Sequence, residues 1–299
     1  MNYMRSSKLV FVPALLLLSA ACVTFTACKK EVKQLGIATY SVEGLESDVE
    51  GSFKALADDG YTVMEIWKYN AKEGTVNGYA PADYAALAEK YGLDIISSHA
   101  SAKFDVQDPE GTLAAWGKLF DDHKAMGCRY VVFPSYSWSK DVEVLKTECE
   151  LMNKVGGEAN KRGLKFGYHN HSDEFVAVPG TDMLLEDFLI ANTDPAKVLF
   201  QMDVYWTVVG GQDPVSYLQK YPDRIKLLHI KDDYVVGESG KIDFRAIFDQ
   251  FYQNGGKDWF VEMEAAMPSD SVPVAEQLKT SLEGIRLSAE YLKNADFVK

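Results

Sequence analysis

The feature that most constrains the fold is an eightfold alternation of short β-rich runs with longer helical segments. The predicted strands occupy 34–40, 62–67, 93–99, 130–135, 164–171, 198–205, 225–231 and 259–264. The predicted helices occupy 44–59, 81–91, 109–126, 140–162, 181–192, 213–221, 243–254 and 274–294. Such alternation implies parallel strands with right-handed crossovers, and eight units close most naturally into a (β/α)8 TIM barrel. The sequence therefore predicts a single α/β domain over residues 34–299.

An open doubly wound sheet is the alternative arrangement of the same elements. It would require a glycine-rich phosphate-binding turn after the first strand, and the stretch from Tyr40 to Gly44 is not one. The segments that follow the strands are also longer than those that follow the helices, which is typical of a barrel with its site at the C-terminal ends of the strands. The barrel is therefore the favoured prediction.

The first residues have the pattern of a secretory signal peptide. Arg5 and Lys8 precede an apolar run, and Pro13 within that run disfavours a permanent transmembrane span. Cys22 and Cys28 each follow a small residue, as the acylated cysteine of a bacterial lipoprotein does. We favour Cys28 as the lipidation site because a polar tether follows it; Cys22 is the alternative, and an ordinary cleaved signal is the simpler interpretation. The prediction is a signal peptide at 1–27, a tether at 28–33 and an exported protein, lipid-anchored to the bacterial cell envelope on its periplasmic or cell-surface side.

Charge and cysteine content limit the classes of partner. The net charge of -13 disfavours nucleic acid, because such binding relies on Lys and Arg to neutralise phosphates. Contact with a membrane is expected only through the lipid anchor. Cys128 and Cys149 have no neighbouring cysteine at metal-ligand spacing, so we expect both to be buried as small hydrophobic side chains. The oligomeric state does not follow from the sequence.

Polar side chains stand at the ends of the predicted strands, where an apolar core would be expected. Buried carboxylates and imidazoles must be paired or must share a cation, and a mixture of the two suits Mn²⁺ or Zn²⁺, with Co²⁺, Fe²⁺ and Mg²⁺ as further possibilities. Four of the five histidines fall at strand ends, beside two acidic residues. These residues are His99, His169, His171, His229, Asp203 and Glu262. The sequence therefore predicts one divalent metal ion at this end of the barrel.

Four motifs carry a resemblance that covers nearly all of the chain after the leader. They are Tyr168-His-Asn-His171, Asp203-Val-Tyr-Trp206 with Gly210-Gly-Gln-Asp-Pro214, Leu228-His-Ile-Lys-Asp232 and Val261-Glu262. In order and spacing they resemble the xylose-isomerase-like family of sugar phosphate isomerases and epimerases. The resemblance implies that His169, Asp203, His229 and Glu262 hold the metal. The family usually has Glu at the position of His169, and this departure argues against a mechanism with two glutamates on opposite faces of the substrate.

Further residues receive roles as hypotheses. Glu262 or Glu264 is the preferred catalytic base, and His171 is the rival. Lys231 shares a strand face with His229, so its ammonium should reach the substrate or stabilise an enolate; a structural salt bridge is its alternative role. The resemblance places substrate contacts at Glu65 and His99, each of which could instead be structural. Aromatic side chains near these ends could stack on a sugar, and we assign substrate binding to Trp67, Tyr205 and Trp206.

The chemistry expected is removal of a proton next to the carbonyl of a sugar, with the metal polarising that carbonyl. Reprotonation gives a sugar isomerase or epimerase, which is the first hypothesis. Loss of a β-substituent gives a 3-keto-glycoside lyase on the same metal site, which is the close second. A non-catalytic surface sugar-binding protein is the third. In each case the partner is a small sugar or keto-sugar.

Overall fold

The computed structural model describes residues 33–264 and 271–299, and its elements form a parallel α/β barrel. Strands β1 to β8 span Gly36–Ala38, Val63–Ile66, Asp94–Ser98, Tyr130–Phe133, Lys165–His169, Val198–Asp203, Ile225–Lys231 and Asp258–Glu262. They form one sheet in the order β3-β2-β1-β8-β7-β6-β5-β4, and its pairs are parallel. One parallel bridge, from His99 to Val132, joins the remaining edge. The predicted TIM barrel is confirmed, and the open sheet is wrong.

The predicted leader and all but the last residue of the predicted tether lie outside the described residues. Lys33–Lys299 form one compact unit. Within the described ranges, no helix is both long enough and apolar enough to span a membrane. Cys128 and Cys149 are free and buried, which agrees with their expected role as small hydrophobic side chains.

Nine α-helices alternate with the strands in the part of the chain that the structure describes. Helices α1 to α9 span Val49–Asp58, Pro81–Lys90, Pro109–Ala125, Val142–Lys161, Leu185–Asn192, Val204–Val209, Pro214–Lys220, Phe244–Gln253 and Val274–Asn294. Asp213 accepts hydrogen bonds from the backbone N–H groups of Val215 and Ser216, and Pro214 occupies the first turn of α7. A short antiparallel ribbon, Tyr69–Asn70 with Thr75–Val76, lies in the segment after β2. The long segments after the strands therefore contain structure of their own.

Several predicted strands are shorter in the structure, and after two of them a polar side chain begins the turn or helix that follows. The prediction of strand through Tyr205 is wrong: Asp203 accepts a hydrogen bond from the Trp206 backbone N–H and so begins helix α6. β5 ends at His169, because Glu174 accepts a hydrogen bond from the His171 backbone N–H and a 3₁₀ turn, Ser172–Phe175, follows. β8 ends at Glu262, so Glu264 lies beyond it. The first strand ends at Ala38, where a 3₁₀ turn, Thr39–Ser41, begins.

The inside of the barrel changes from apolar to polar along the strands. One apolar layer fills the interior below the site, with members from six strands: Ala38, Val63, Ile96, Val132, Leu227 and Phe260. Side chains two residues further along a strand point to the same face. Glu65, His229 and Glu262 follow Val63, Leu227 and Phe260 at this spacing. Because of this two-residue period, the three polar side chains lie directly above the apolar layer, at the C-terminal end of the barrel.

His123 is a buried histidine on helix α3 that supports the fold. Its Nδ1 lies 2.7 Å from the Leu119 carbonyl oxygen, and its Nε2 lies 2.8 Å from the Ser98 hydroxyl oxygen. A neutral ring satisfies both contacts, with Nδ1 donating and Nε2 accepting. Burial lowers the pKa of His123 from 6.5 to about 4. Its contribution to stability is therefore present above pH 6.5 and is lost as the pH falls towards 4, because the unfolded chain takes up the proton first.

We expect His123→Gln to reduce the sensitivity of the fold to acid. The variant lacks the titrating ring. The free energy of unfolding of the wild-type protein should therefore fall by a few kcal/mol relative to that of the variant between roughly pH 7.5 and pH 4.5. Urea unfolding of both proteins at the two pH values measures the difference. If the difference in unfolding free energy between the wild-type protein and the variant stayed constant with pH, His123 would not be held neutral in the folded protein.

Candidate metal centre

Three side chains from neighbouring strands converge at the end of the barrel. Asp203 ends β6, His229 lies in β7 and Glu262 ends β8, and one ligand atom of each lies within 4.8 Å of the others. All three are buried. We call them the acid–histidine cluster. They come together because β6, β7 and β8 are adjacent in the sheet, with Asp203 in register with His229.

Two atoms of the acid–histidine cluster lack a hydrogen-bond partner although they are buried. They are Asp203 Oδ2 and His229 Nδ1. His229 Nδ1 does lie 2.7 Å from Glu262 Oε2, but this close contact lacks the direction of a hydrogen bond. Unpartnered buried polar atoms are costly, and two such atoms beside a second carboxylate are the environment that a bound cation satisfies. The residues present therefore fit a divalent metal ion held by two carboxylates and an imidazole.

The electrostatics of the metal-free cluster point the same way. Burial, and then the neighbouring Glu262, raise the pKa of Asp203 from 3.8 to about 7. Burial alone would lower the pKa of His229, but Glu65 and Glu262 raise it to about 10. Without a bound cation, a proton on His229 thus supplies the positive charge that balances the carboxylates of Glu65 and Glu262. A divalent ion would supply it more fully and release that proton.

His169, the fourth predicted ligand, is placed beside the cluster within a second group. The rings of His99, His169 and His229 lie together, with centroids 4.6 to 4.8 Å apart, and their ligand atoms also fall within 4.8 Å of one another. His169 Nδ1 lies 3.1 Å from Gln201 Oε1, so in the neutral ring Nε2 is left without a proton and can bind a cation. Three of the four predicted ligands therefore form one cluster, and His169 joins it through His229.

Glu65 is held inside the barrel by other side chains, as expected for the structural alternative to its predicted substrate contact. It is 1% exposed, and its Oε1 lies 2.5 Å from His229 Nε2. Its Oε2 accepts hydrogen bonds from Ser97 and Gln201. A carboxylate on one nitrogen of an imidazole fixes the ring and leaves the other nitrogen for a metal. Glu65 is therefore a positioning residue that directs His229 Nδ1 towards Asp203 and Glu262.

His99 likewise belongs to this supporting network, which agrees with the structural alternative to its predicted substrate contact. It is 6% exposed, and its Nε2 lies 2.6 Å from Gln201 Oε1 and 3.2 Å from Glu65 Oε1. Gln201 thus contacts Glu65, His99 and His169 at once. The prediction missed Gln201, although it stands two residues before Asp203 on the same strand face and could have been found from that spacing.

We expect Glu65→Gln to weaken metal binding without unfolding the protein. The amide cannot accept from His229, Ser97 and Gln201 together, so His229 should lose its fixed orientation. The expected loss of metal affinity is about 10–100-fold, as for other partners of metal-bound histidines. Titration of metal-free protein with Zn²⁺ measures it, and Glu148→Gln, another buried glutamate that contacts Ser139 instead, is the control. Equal affinities in the two variants would contradict the positioning role.

Lys231 occupies the mouth of the site with two carboxylates. Its side chain is fully buried, and its Nζ donates to Glu262 Oε1 at 2.9 Å and to Glu264 Oε1 at 2.5 Å. Glu264 also accepts a hydrogen bond from Tyr40, and its side chain is 43% exposed. Burial alone would lower the pKa of Lys231, but Glu262 and Asp203 raise it. Lys231 is therefore a permanent cation, and Glu264 faces the solvent side of the site.

The predicted aromatic contacts surround this mouth. Tyr205 and Trp206 lie on α6, with ring centroids 5.9 and 5.4 Å from Lys231 Nζ. The Trp206 indole Nε1 is buried and has no acceptor. Trp67 packs edge-on against Tyr40, with ring centroids 5.5 Å apart, and Tyr40 donates to Glu264. His171 is half-buried between His169 and Trp206, with ring centroids 4.9 and 5.8 Å away. Their roles stay predictions, but each lies near the mouth of the site.

The fold and the site together define a class: a closed α/β barrel with a candidate metal centre at the C-terminal ends of its strands. The chain belongs to the xylose isomerase-like TIM barrel family, whose model matches residues 53–294. The family predicted from the motifs is confirmed.

Individual relatives agree with this assignment. A crystal structure of a sugar phosphate isomerase/epimerase from Parabacteroides distasonis is 34% identical, with a TM-score of 0.83, and the match covers 91% of this chain and all of that one. The inosose dehydratase of Lacticaseibacillus casei is 27% identical over 274 residues, which cover 79% of this chain and 88% of the relative. The IolI protein, solved with a bound zinc atom, is 16% identical with a TM-score of 0.64 over 86% of this chain and 99% of that one. That last similarity shows the fold alone.

Proposed function

We propose that the protein is a divalent-metal-dependent enzyme that removes a proton next to the carbonyl of a sugar, acting as an isomerase or epimerase. The observation that carries the proposal is the acid–histidine cluster, a buried set of two carboxylates and an imidazole at the open end of the barrel, in which Asp203 Oδ2 has no hydrogen-bond partner. Relatives named as isomerase/epimerases and as dehydratases support it, because both activities begin with such a proton transfer. Asp203, His229 and Glu262 would hold the ion, with His169 as the fourth ligand.

The bound ion and two nearby side chains, Lys231 and Trp206, would have separate roles in the reaction. A bound divalent ion would polarise the sugar carbonyl and make the adjacent proton more acidic. Lys231, as a permanent cation at the mouth, favours negative charge that develops on the substrate. The unpartnered Trp206 Nε1–H can donate to a substrate hydroxyl. Mn²⁺ and Zn²⁺ fit the mixture of carboxylates and imidazoles best, and metal analysis of the purified protein identifies the ion.

Two of the predicted groups remain as the catalytic base. Glu262 is held by His229 and Lys231, and those neighbours keep its pKa well below the ordinary value against the effect of burial. Glu262 is therefore better suited to bind the metal ion than to accept a proton. Glu264 and His171 both lie at the mouth, outside the cluster. Separate Glu264→Gln and His171→Asn variants distinguish them, since only loss of the base should abolish proton exchange while metal is retained.

A keto-sugar lyase is the second candidate, and the inosose dehydratase relatives favour it. In a 3-keto-glycoside the base removes the proton on C2, and its electron pair forms the double bond between C1 and C2. The bond from C1 to the glycosidic oxygen breaks with its electron pair, and that oxygen takes up a proton and leaves as an alcohol. No co-reactant is needed. The step uses the same base and the same cation site as epimerisation.

Solvent exchange tests the proposed function directly. Protein stripped with a chelator and reloaded with Mn²⁺ or Zn²⁺ is incubated in deuterated water with ketohexoses and with 3-keto-glucosides. We expect loss of the proton signal next to the carbonyl in NMR spectra, dependent on the metal. A substrate that binds without exchange would instead support a non-catalytic sugar-binding protein. Epimerised products and released alcohol separate the two enzymatic candidates.

We further propose that this chemistry takes place outside the cytoplasm, on a protein anchored through Cys28. The support is the sequence alone: a basic start, an apolar run and a cysteine followed by a polar tether. Replacement of Cys28 by Ser should release the protein from the membrane fraction, whereas replacement of Cys22 should not. The reverse result would assign the anchor to Cys22.

A further inference from the structure

A basic cavity of about 400 Å³ opens at the N-terminal end of the barrel, opposite the metal centre. Two of its lining residues, Lys165 and Asp258, begin β5 and β8, whereas the candidate ligands His169 and Glu262 end the same strands. At about 3.3 Å per residue, the two ends of each strand are roughly 13 Å apart. Five basic side chains and two acidic ones line the cavity. The basic residues are Arg129, Lys165, Lys197, Lys226 and Lys257.

Ion pairs neutralise only part of this positive charge. Three of the five basic residues have a carboxylate at 3.0 to 3.8 Å, and the pairs are Arg129–Asp258, Lys197–Asp194 and Lys226–Asp223. Lys165 and Lys257 are exposed, and neither has a carboxylate partner among the residues that the structure describes. The whole chain has a net charge of -13, so this end of the barrel differs in sign from the protein as a whole. The cavity therefore attracts anions.

The first described residues are attached to the wall of the basic cavity. Gln34 Nε2 donates to Asp258 Oδ1 at 3.3 Å. Asp258 also accepts hydrogen bonds from Arg129 at 3.2 Å and from the Tyr130 hydroxyl at 2.8 Å. Cys28, the predicted lipidation site, precedes Gln34 by six residues, which reach at most about 20 Å in a fully extended chain. A lipid on Cys28 would therefore hold the basic cavity close to the membrane surface.

We propose that the basic cavity binds the phosphate headgroups of anionic phospholipids, so that the N-terminal end of the barrel lies on the membrane and the metal centre faces away from it. Lys and Arg side chains are attracted to an anionic membrane over about one Debye length, roughly 8–10 Å, and the short tether would hold them within reach. This contact would be additional to the lipid anchor, the only membrane contact that the sequence indicates. The orientation rests on the proposed anchor at Cys28, whereas the attraction to headgroups does not. It would leave the open end of the barrel accessible to substrate from solution.

A chemically tethered protein tests this contact without relying on acylation in the cell. The chain from Cys28 onwards contains the whole compact unit Lys33–Lys299. Its Cys28 thiol is coupled to a maleimide lipid in vesicles, and Cys128 and Cys149 do not compete because both are buried. Vesicles of phosphatidylcholine alone are compared with vesicles that also contain anionic phosphatidylglycerol. The rate of acetylation of each lysine, measured by mass spectrometry, reports which face of the barrel is covered.

We expect acetylation of Lys165 and Lys257 to slow by about 5-fold in the anionic vesicles only, the effect of one basic side chain close to an anionic surface. High salt should restore the rate, because it screens the attraction. Lys72 and Lys154, two exposed lysines outside the cavity, serve as internal references whose rates should not change.

A charge reversal with a matched control separates the cavity from the net charge of the protein. Lys257→Glu reverses one charge of the cavity at an exposed position and should remove most of the protection of Lys165. Lys154→Glu changes the net charge by the same amount on α4, outside the cavity, and should leave that protection unchanged. An equal loss in the two variants would show that the cavity has no special part in the contact.

Three results would overturn the proposal. They are equal acetylation rates in both kinds of vesicle, slowing that also occurs in neutral vesicles, and equal protection by dissolved glycerol phosphate, which would assign the cavity to a free anion. None of these measurements requires proton exchange, so they do not depend on the proposed enzymatic function. Protection of Lys165 together with a Cys28→Ser protein that stays in the membrane fraction would keep the lipid-binding cavity and overturn the anchor.

Discussion

Asp203→Asn should give a folded protein that has lost both its metal ion and its proton-exchange activity. Asp203 Oδ1 caps helix α6, and an amide oxygen can keep that hydrogen bond. The unpartnered Oδ2 is the atom directed at the cation site, and its replacement by an uncharged N–H₂ group removes a ligand and adds a donor. We expect metal affinity to fall by more than about 100-fold, beyond the range for residues that only support a ligand.

The same substitution should not destabilise the metal-free protein in alkaline solution. The folded-state pKa of Asp203, about 7, is above its ordinary value of 3.8. Folding therefore favours the protonated form, and the stability that this carboxyl contributes is present below pH 3.8 and is lost as the pH rises through 7. Metal-free wild-type protein should weaken over that interval, whereas the Asn variant should not. Thermal unfolding with a chelator present measures both.

Asp213→Asn is the matched control for this experiment. Asp213 also caps a helix, α7, but it is exposed and has no part in the cluster. The Asp213→Asn variant should bind metal with the affinity of the wild-type protein. Metal content that is retained in the Asp203 variant, or lost in both variants, would contradict the proposed ligand set.

The sequence was sufficient to predict the barrel because its signals are local. Each strand is a short apolar run, and Asp213-Pro214 marks the start of a helix by its own chemistry. The sequence also indicated Asp203, His229 and Glu262. Polar groups at the ends of buried strands must be paired or must share a cation, and parallel strands bring those ends together. The alternation of strands and helices thus located the site before any contact was known.

The sequence was insufficient where a role depends on partners from distant strands. For Glu65 the sequence left a substrate contact and a structural ion pair as equal alternatives, since nothing near it in the chain reveals that His229, 164 residues later, lies 2.5 Å away. Tyr205 was placed at the end of a strand because Val204–Val209 consists of β-branched and aromatic residues, which have low helix propensity. The cap by Asp203 overrides that propensity.

Lys231→Met should lower turnover while the metal ion is retained, which separates its effect from that of Asp203→Asn. Lys231 binds Glu262 and Glu264 but contributes no ligand atom to the cluster. Without its ammonium, negative charge that develops on the substrate faces two carboxylates with no fixed cation at the mouth. We expect kcat to fall by about 10²–10³-fold, the effect of removing one group that stabilises developing negative charge.

Stability provides a second measurement on this variant, because the two carboxylates differ in their access to water. Glu264 is 43% exposed and can be hydrated when Lys231 is removed, whereas Glu262 is buried and keeps only His229 and the metal. The variant should therefore lose about 3 kcal/mol of unfolding free energy, at the lower end for a broken buried pair, and bound metal should restore part of it. Lys241→Met, which breaks the exposed pair with Asp233, should change stability by less than about 0.5 kcal/mol. If Lys231→Met left turnover unchanged, Lys231 would be a structural bridge between the two glutamates and nothing more.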